Sequence, residues 1–260
     1  MIEYAILFVW AWMSFFWIIS TLIRNVSIVD TIYGLNFILI HVAYGLFAPN
    51  IDIISQILFA TTSLWALRLS GYIGLKNYGI GEEKRYQRFR EKYGKDRFWW
   101  FSYFQPFMIQ GLFLLIFATP IHISYYQTIQ FTHEIQYVLL ALGCILFITG
   151  LIYESIADFQ MYTFKKSHAH HEFLKTGLWQ YSRHPNYFGE ILLWFGMALI
   201  ASSKALTAFS LIAFIGPMLL FYTLSELSGA KNHEPYLQQE KPGYLAHQAN
   251  TPCIIPFRIK

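Results

Sequence analysis

The stretch from residue 135 to 155 reads IQYVLLALGCILFITGLIYES, and its long apolar run decides the fold class. Roughly 20 consecutive apolar residues are enough to cross the hydrocarbon core of a bilayer as an α-helix. The sequence contains other runs of this kind. Together they predict an all-α polytopic membrane protein with about seven transmembrane helices, at residues 2–23, 28–47, 53–73, 104–123, 135–155, 187–201 and 206–227.

The composition agrees with a chain that lies mostly in lipid. Only 13% of its 260 residues are charged and 55% are hydrophobic, whereas a soluble domain carries about 25% charged residues. A formal net charge of +4 argues against a nucleic-acid partner. No repeat or appended soluble segment is evident, so we expect a single integral membrane domain over residues 1–260, with its cofactor-binding part at about 150–260.

Metal-binding and disulfide patterns are absent from the sequence. The two cysteines, Cys144 and Cys253, lie too far apart to suggest a disulfide framework or a zinc site. His168, His170 and His171 are close together, but no acidic or cysteine ligand pattern accompanies them. We therefore predict no metal.

The basic residues define an orientation for these spans. With seven spans, all of the 19 lysine and arginine residues except Lys204 fall on one side. Because cytoplasmic loops carry the excess of basic residues, we expect the N-terminus outside and the C-terminal tail in the cytoplasm. The predicted location is a bacterial inner membrane, although an endoplasmic reticulum protein would have the same topology. The predicted partners are membrane lipids and a hydrophobic small-molecule substrate; a monomer and an oligomer fit the sequence equally.

Ionisable residues within the spans are candidate catalytic groups, because charges in hydrocarbon are costly and usually mark a site or a buried pair. Asp30 and Tyr33 share one helix face, as do Arg68 and Tyr72. An acid and a phenol that face a cavity could polarise a substrate carbonyl. The alternative is that Asp30 and Arg68 form a buried ion pair that locks two helices together.

A second set of polar residues follows the fifth span. Glu154, Asp158 and Tyr162 are spaced by four and Lys165 follows by three, so they align on one helical stripe. Carboxylates suit the hydroxyls of a ribose and a cation suits a phosphate. A surface ladder of charged pairs would give the same spacing, but Glu154 lies at membrane depth, which favours a functional role.

The strongest signal is the block GLWQYSRHPNYFGE at residues 177–190. Pro185 suits the start of a helix, whose free N–H groups favour an anion, helped by Arg183. Asn186 and Glu190 face the same way, and Gly189 allows another surface to approach the backbone. His184 is either a general acid or an orienting hydrogen-bond partner. The complete set of predicted cofactor-binding residues is Glu154, Asp158, Tyr162, Lys165, Arg183, His184, Asn186, Tyr187, Glu190 and Tyr244.

Two cytosolic segments carry weaker signals. The charged run EEKRYQRFR at residues 82–90 predicts a short helix, which either lies solvated on anionic lipid heads or contributes to an anionic cofactor site. The proline- and glycine-containing tail predicts an irregular segment that folds over a cofactor pocket or lies on the membrane surface.

Several of these motifs together resemble the steroid 5-alpha-reductase superfamily. The resemblance rests on residues 154–158, the block 177–190 and the ending GY…IPF at residues 243–257. The chain is most similar to a bacterial branch of uncharacterised proteins, through Ser27…Asp30…Tyr33-Gly34 and Arg68…Tyr72…Arg85-Tyr86. The resemblance implies a seven-helix membrane fold that binds NADPH from the cytosolic side and delivers a hydride to the double bond of an enone.

The resemblance also implies roles for individual residues. Asn186 and Glu190 match an Asn and a Glu that contact the cofactor in animal steroid reductases. Asp158 and Lys165 match an acid followed seven positions later by a cation, with Lys in place of the expected Arg. Asp30, with Tyr33 or Tyr72, would replace the membrane Glu and the Tyr that polarise the carbonyl.

Two alternative functions remain open at this point. The Arg-His-Pro-x-Tyr-x-Gly pattern is also similar to one in isoprenylcysteine carboxyl methyltransferases and in sterol C14-reductases. The chain could therefore be a methyltransferase of a lipid or prenylated substrate that uses S-adenosylmethionine. It could also be a non-catalytic lipid-binding protein. The basic residues near the motif favour NADPH, since this cofactor carries more phosphates.

Overall fold

The computed structural model describes residues 1–48, 51–167, 172–227 and 229–257, and within these ranges the chain is helical, without strands. The histidines of the 168–171 segment lie outside the described residues. The α-helices are α1 Ile2–Leu22, α2 Ile28–Thr31, α3 Leu35–Phe47, α4 Ile53–Asn77, α5 Lys84–Tyr93, α6 Lys95–Ser102, α7 Gln110–Phe117, α8 Thr119–Tyr126, α9 Ile135–Ser167, α10 Pro185–Ser202, α11 Ile215–Tyr222, α12 Ala230–Glu240 and α13 Tyr244–Asn250.

Five helical segments are long and apolar enough to cross a membrane, so the prediction of an all-α integral membrane protein is confirmed. They are Ile2–Leu22, Ile53–Asn77, Arg97–Phe117, Ile135–Ser167 and Ala208–Leu227. Two of them are composite. A π-helical turn that contains Pro106 joins α6 to α7, and α11 lies between a 3₁₀ turn and a π-helical turn.

The two remaining predicted spans have a different form. The run at residues 28–47 is divided into α2 and α3, and the 13 residues of α3 extend about 20 Å at 1.5 Å per residue, which is less than the hydrocarbon core. The run at 187–201 belongs to α10, which has 18 residues and is buried along much of its length. Five candidate membrane-spanning helices are therefore present, whereas the total of seven stays a prediction.

Glycines allow α9 and α10 to pack backbone against backbone. A Cβ atom added to Gly150 would lie 2.6 Å from the carbonyl oxygen of Gly189, and one added to Gly189 would lie 2.6 Å from the Glu154 nitrogen. About two helical turns further along α10, a Cβ on Gly196 would lie 2.6 Å from the Phe147 nitrogen. Small residues permit this close approach in membrane helices, and here they hold Glu154 against the start of α10.

Lys204, the exception in the charge distribution, is completely buried. Its ammonium contacts the Asp52 carboxylate and the Ser124 carbonyl, and lies 3.2 Å from Ser55 Oγ. A lysine that is paired inside the protein carries little information about which loops face the cytoplasm. The pair lies at the start of α4, about 24 Å from Arg68 at 1.5 Å per residue.

Candidate active site

The candidate site is centred on Arg68, which α4 presents to two carboxylates of α9. Arg68 Nη1 lies 2.6 Å from Asp158 Oδ2, and Arg68 Nη2 contacts Glu154 Oε1. The side chains of Arg68, Glu154 and Asp158 are 19%, 3% and 7% exposed. Buried charges of this kind require a partner, and the partners of Arg68 come from α9. The alternative of an Asp30–Arg68 ion pair is therefore wrong.

Asn186 and Glu190 of α10 complete this polar cluster. The Asn186 amide lies beside Asp158, and the Glu190 carboxyl group interacts electrostatically with Arg68 and Asp158. Asn186 Oδ1 and Glu154 Oε2 are buried without a hydrogen-bond partner. Within the described ranges, the Glu190 carboxyl also makes no hydrogen bond. Because buried polar atoms are nearly always paired in native proteins, such unpaired atoms make the cluster a candidate ligand site.

Three tyrosines surround the cluster. Tyr72 interacts electrostatically with Arg68 and Asp158, while Tyr33 and Tyr187 both interact with Glu190. All three side chains are half-buried. Their hydroxyls form no hydrogen bond with any part of the chain that the structure describes, so they are available to a bound molecule.

Lysines from three separate segments lie near one another, and one of them lies beside this cluster. Lys76 at the end of α4 and Lys241 after α12 both interact with Lys165 at the end of α9, and Lys76 also interacts with Asp158. The sequence singled out only Lys165. Lys76 could have been found, because it follows Tyr72 by four residues on the same helix; Lys241 could not, because it comes from a distant turn. Tyr162 lies to one side, where its ring packs under Lys166 at 4.2 Å.

Asp30 is engaged by α5 rather than by Tyr33 or Tyr72, with which it was expected to act. Its Oδ2 accepts a hydrogen bond from Arg85 Nη2 at 2.8 Å, and its Oδ1 accepts one from the Tyr86 hydroxyl at 3.0 Å. Burial, followed by the charge of Asp30, holds the pKa of the Tyr86 phenol well above its usual range. Asp30 therefore serves as an anchor for α5.

The segment that carries α5 is attached by further polar contacts. Glu82 accepts hydrogen bonds from Arg90 Nη2 at 2.8 Å and from the Val26 amide at 3.0 Å, and Ser27 Oγ accepts one from the Glu83 amide at 2.7 Å. Helix α5 is thus docked through these residues and Tyr86, while its basic side chains Lys84, Arg88 and Lys92 are exposed. Helix α5 therefore has one face that packs on the protein and one face that is exposed to solvent.

Arg183 holds the C-terminal tail instead of facing a ligand. Its Nε and Nη2 donate to the two carboxylate oxygens of Glu234 at 2.7 and 3.0 Å, and its Nη1 donates to the carbonyls of Gln248 and Thr251. Because every guanidinium nitrogen has a protein acceptor, the expectation that Arg183 binds a phosphate is not supported. Glu234 was missed, since the sequence does not indicate which acid pairs with Arg183.

His184 and Tyr244 belong to the same tail contact. His184 Nε2 lies 3.2 Å from Glu234 Oε1, and the His184 amide donates to the Cys253 carbonyl at 3.0 Å. Burial alone would raise the pKa of Glu234, but hydrogen bonds from His184 and Arg183 lower it to about 2. Burial and the charge of Glu234 raise the pKa of Tyr244 to about 12. These residues form a tail clamp, comprising Arg183, His184, Glu234, Tyr244 and residues 248–254.

The tail clamp also contains a group of potential metal ligands. Atoms of His184, Glu234 and Cys253 lie within 4.8 Å of one another. Both oxygens of Glu234 are already bonded to the Arg183 guanidinium, and this cation competes directly with any metal ion. The donor set therefore favours a structural role.

The fold and the polar cluster together define a class: an integral membrane protein with a buried cluster of charged residues between its helices. A family model described as a protein of unknown function (DUF1295) matches residues 16–251. The chain belongs to this DUF1295 family.

Two relatives extend the comparison. An uncharacterized protein of Schizosaccharomyces pombe is 24% identical over 262 residues, which cover 87% of this chain and 74% of that protein. The steroid 5-alpha-reductase DET2 of Solanum lycopersicum is 28% identical over 137 residues, which cover 52% of this chain and 48% of the reductase. The second match thus spans about half of each chain. No solved structure matches the chain significantly.

Proposed function

We propose that this protein is an NADPH-dependent membrane reductase within the steroid 5-alpha-reductase superfamily. Its substrate would be a steroid- or isoprenoid-like lipid in which a carbon–carbon double bond is conjugated to a carbonyl. The similarity to the tomato reductase supports a reductase-like role. The single observation that carries the proposal is that Asn186 and Glu190, the pair that resembles the reductase pattern, meet Arg68 and the carboxylates of α9 in one buried cluster.

The donor set of the cluster fits this cofactor. The carboxylates of Glu154, Asp158 and Glu190 suit the hydroxyl and amide N–H groups of a dinucleotide. Lys76, Lys165 and Lys241 suit its phosphates, since an ammonium is an effective point charge for a phosphate. The unpaired oxygens of Asn186 and Glu154 would gain hydrogen-bond donors on binding. S-adenosylmethionine would use the carboxylates but would leave the lysines without a phosphate.

In the proposed mechanism, the tyrosines bind the substrate. NADPH supplies a hydride to the double bond when bound. The hydroxyls of Tyr33 and Tyr72 make no hydrogen bond within the described residues, and hydrogen bonds from them to the carbonyl oxygen would stabilise the negative charge that develops there. Asp30 acts indirectly, by fixing α5 beside the site. Solvent supplies the proton to the alpha carbon.

The proposed orientation follows from this assignment. The site lies at the end of the bundle that also carries Lys76, Lys165 and the tail. With this end in the cytoplasm, the cofactor would enter from the compartment that contains it, and the basic residues would obey the positive-inside rule. We propose a bacterial inner membrane as the location.

The test is cofactor binding by the detergent-purified protein, with NADPH and S-adenosylmethionine titrated side by side. Asn186→Ala and Glu190→Ala probe the site. Gln56→Ala, at an exposed position on the far end of α4, is the matched control. We expect saturable NADPH binding that both site variants weaken at least tenfold, by about 1.4 kcal/mol, and that the control leaves unchanged.

Each other outcome points to a different function. Selective binding of S-adenosylmethionine would replace the reductase by a methyltransferase of a lipid or prenylated substrate. Binding of neither cofactor, with lipid binding retained, would identify a non-catalytic lipid-binding protein.

A further inference from the structure

The turn between α1 and α2 holds an arginine in a backbone conformation that favours glycine. Arg24 has a φ of 54°, in the left-handed region, two residues after the end of α1. The Asn25 amide closes the turn by donating to the Ser20 carbonyl at 2.9 Å. Helices that end in this way usually carry Gly or Asn at the left-handed position, because a larger side chain is unfavourable there. The backbone of the turn gains nothing from an arginine, so the reason for this residue lies in its side chain.

The Arg24 side chain is exposed where a membrane helix leaves the hydrocarbon, and it has no acidic partner among the residues that the structure describes. It directly follows Leu22 and Ile23, which are 77% and 55% exposed at the end of a candidate membrane span. Exposed apolar side chains on such a helix face the lipid chains, so the next residue lies at the level of the headgroups. A guanidinium at this level matches a lipid phosphate, to which it can donate two parallel hydrogen bonds.

Helix α5 is attached to the same turn and lies at the same level. The Glu82 carboxylate accepts a hydrogen bond from the Val26 amide at 3.0 Å, and the Glu83 amide donates to Ser27 Oγ at 2.7 Å. Val26 and Ser27 follow Arg24 by only two and three residues. These contacts therefore place the start of α5 beside Arg24, at the lipid–water boundary.

The exposed face of α5 is basic. Lys84, Arg88 and Lys92 follow one another by four residues and are all exposed, so they form one stripe along the helix. None of them has an acidic partner in the described ranges, because Glu82 and Glu83 are engaged on the inner side. The remaining acid of the helix, Glu91, is exposed on the same face as the stripe.

The loop that precedes α5 adds apolar side chains to this basic surface. Tyr78 and Ile80 are 88% and 72% exposed, and the loop ends at Glu82, which is bonded to Val26. Large apolar side chains exposed together mark a surface that another molecule covers. A soluble anion would satisfy the cations but leave these side chains in water, whereas a lipid would satisfy both.

From this arrangement we infer that the protein binds an anionic phospholipid at this surface, which we call the basic corner. It comprises Arg24, Tyr78, Ile80 and the stripe of α5. The cations bind the headgroup phosphate and the apolar side chains contact the acyl chains. The basic corner does not include the cluster around Arg68. The inference therefore goes beyond the proposed function and does not depend on which reaction, if any, the protein catalyses.

The test measures lipid binding by the full-length protein in a neutral detergent. Native mass spectrometry gives the dissociation constants of dioleoylphosphatidylglycerol, which is anionic, and of dioleoylphosphatidylcholine, which is zwitterionic. Arg24→Gly and Lys84→Gln each remove one cation of the basic corner. Glu91→Gln removes the acid on the same face, and Lys175→Gln removes an exposed cation from a different loop as the matched control. Inorganic phosphate, added as a competitor, distinguishes a free anion from a lipid headgroup.

We expect the parent protein to bind phosphatidylglycerol at least tenfold more tightly than phosphatidylcholine. A basic residue beside an anionic lipid contributes about fivefold in affinity. Arg24→Gly and Lys84→Gln should therefore each weaken phosphatidylglycerol binding by about this factor and leave phosphatidylcholine binding unchanged. Glu91→Gln should strengthen phosphatidylglycerol binding, and Lys175→Gln should match the parent protein.

Arg24→Gly also separates lipid binding from folding. Glycine relieves the left-handed backbone, so the variant should unfold at the same temperature as the parent protein or at a higher one when no lipid is added. A loss of phosphatidylglycerol affinity in this variant is then a loss of the cation and not of the fold. Lys84→Gln, at an exposed position on another helix, gives an independent second measurement.

Four results would overturn the inference. The parent protein could bind both lipids equally, Arg24→Gly and Lys84→Gln could both keep the parent affinity for phosphatidylglycerol, or Glu91→Gln could weaken binding as Lys84→Gln does. Displacement of phosphatidylglycerol by an equal concentration of inorganic phosphate would instead assign the basic corner to a soluble anion.

Discussion

Arg68 illustrates how one side chain can bring several acidic residues together in a site. Its guanidinium contacts two carboxylates of α9 and interacts with a third on α10. Removal of one partner from a buried ion pair is far more costly than the net value of the pair, because the remaining charge stays buried. The stability of the bundle and the organisation of the site therefore depend on the same residue.

We predict that Arg68→Met lowers the free energy of unfolding by about 3–5 kcal/mol, since Glu154 and Asp158 would remain buried without a counter-ion. Glu190→Gln is the matched control, because Glu190 makes no hydrogen bond in the described ranges, and its loss should stay below about 1 kcal/mol. Unfolding by denaturant in mixed micelles measures both. Equal losses would show that Arg68 is not the electrostatic centre of the cluster.

At the residue scale, the sequence predicted the candidates that share one local segment. The spacing of Glu154 and Asp158 and that of Asn186 and Glu190 indicated which side chains face the same way, because helical periodicity is local. The partner of Arg183 lies 51 residues away in Glu234. A local sequence pattern does not predict a contact between residues so far apart in the chain. Arg183 was therefore expected to bind a phosphate.

Helices α9 and α10 carry the four cluster residues Glu154, Asp158, Asn186 and Glu190. Their glycines permit backbone contact, so the carboxylates of α9 and the polar pair of α10 can meet without long side chains. The sequence predicted a close approach at Gly189 but could not name the surface that approaches. A glycine indicates that another segment can approach the backbone closely, but tertiary packing determines which segment does so.

We predict that Gly189→Ala destabilises the protein and weakens NADPH binding, because the new Cβ would lie 2.6 Å from the Glu154 nitrogen and force α9 away. Overpacking of this kind costs about 1–3 kcal/mol. Gly71→Ala on α4 is the control, since nothing lies within 4 Å of its Cβ position. Thermal unfolding and NADPH titration of both variants check the prediction, which fails if they behave alike.

The tail clamp should respond to acid in a defined window. Glu234 has a pKa of about 2 in place of 4.5, so its ionised form stabilises the folded tail. This contribution is complete above about pH 4.5 and is lost as the pH falls through about 2. Hydrogen–deuterium exchange of residues 244–257, expressed as protection factors, should show the loss in this window.

Glu234→Gln supplies the control for this pH dependence. The variant should protect the tail less than the parent protein at pH 7, and it should lack the acid transition. Loss of protection in the parent protein already between about pH 7 and 5 would contradict the prediction.

The whole molecule is a helical membrane bundle, and this level of organisation was the easiest to predict. Apolar runs are contiguous in sequence, so their lengths and positions identify membrane helices directly. The division of residues 28–47 into α2 and α3 was not foreseen, because a break inside an apolar run leaves the composition unchanged. The burial of Lys204 was also missed. The sequence of a short loop does not show whether a lysine in it has a buried partner.

We predict that the two ends of the bundle lie on opposite sides of the membrane, with the cluster end in the cytoplasm. In a background with Cys144 and Cys253 replaced by alanine, Glu134→Cys should react with a membrane-impermeant maleimide on intact cells. Lys175→Cys should react only after the membrane is permeabilised. Both side chains are exposed, so access decides the result. The reverse pattern would invert the proposed orientation.

The contact between the buried Lys204 and the partly exposed Asp52 has a consequence for biogenesis. Asp52 is synthesised 152 residues before Lys204. More than half of the chain is therefore made before the ion pair can form. Until α10 has been inserted, an intermediate carries an unneutralised acid at the start of α4. A ribosome-stalled or truncated chain that ends before Lys204 should therefore be a preferred target for membrane proteolysis, and the ion pair would act as a checkpoint of complete assembly.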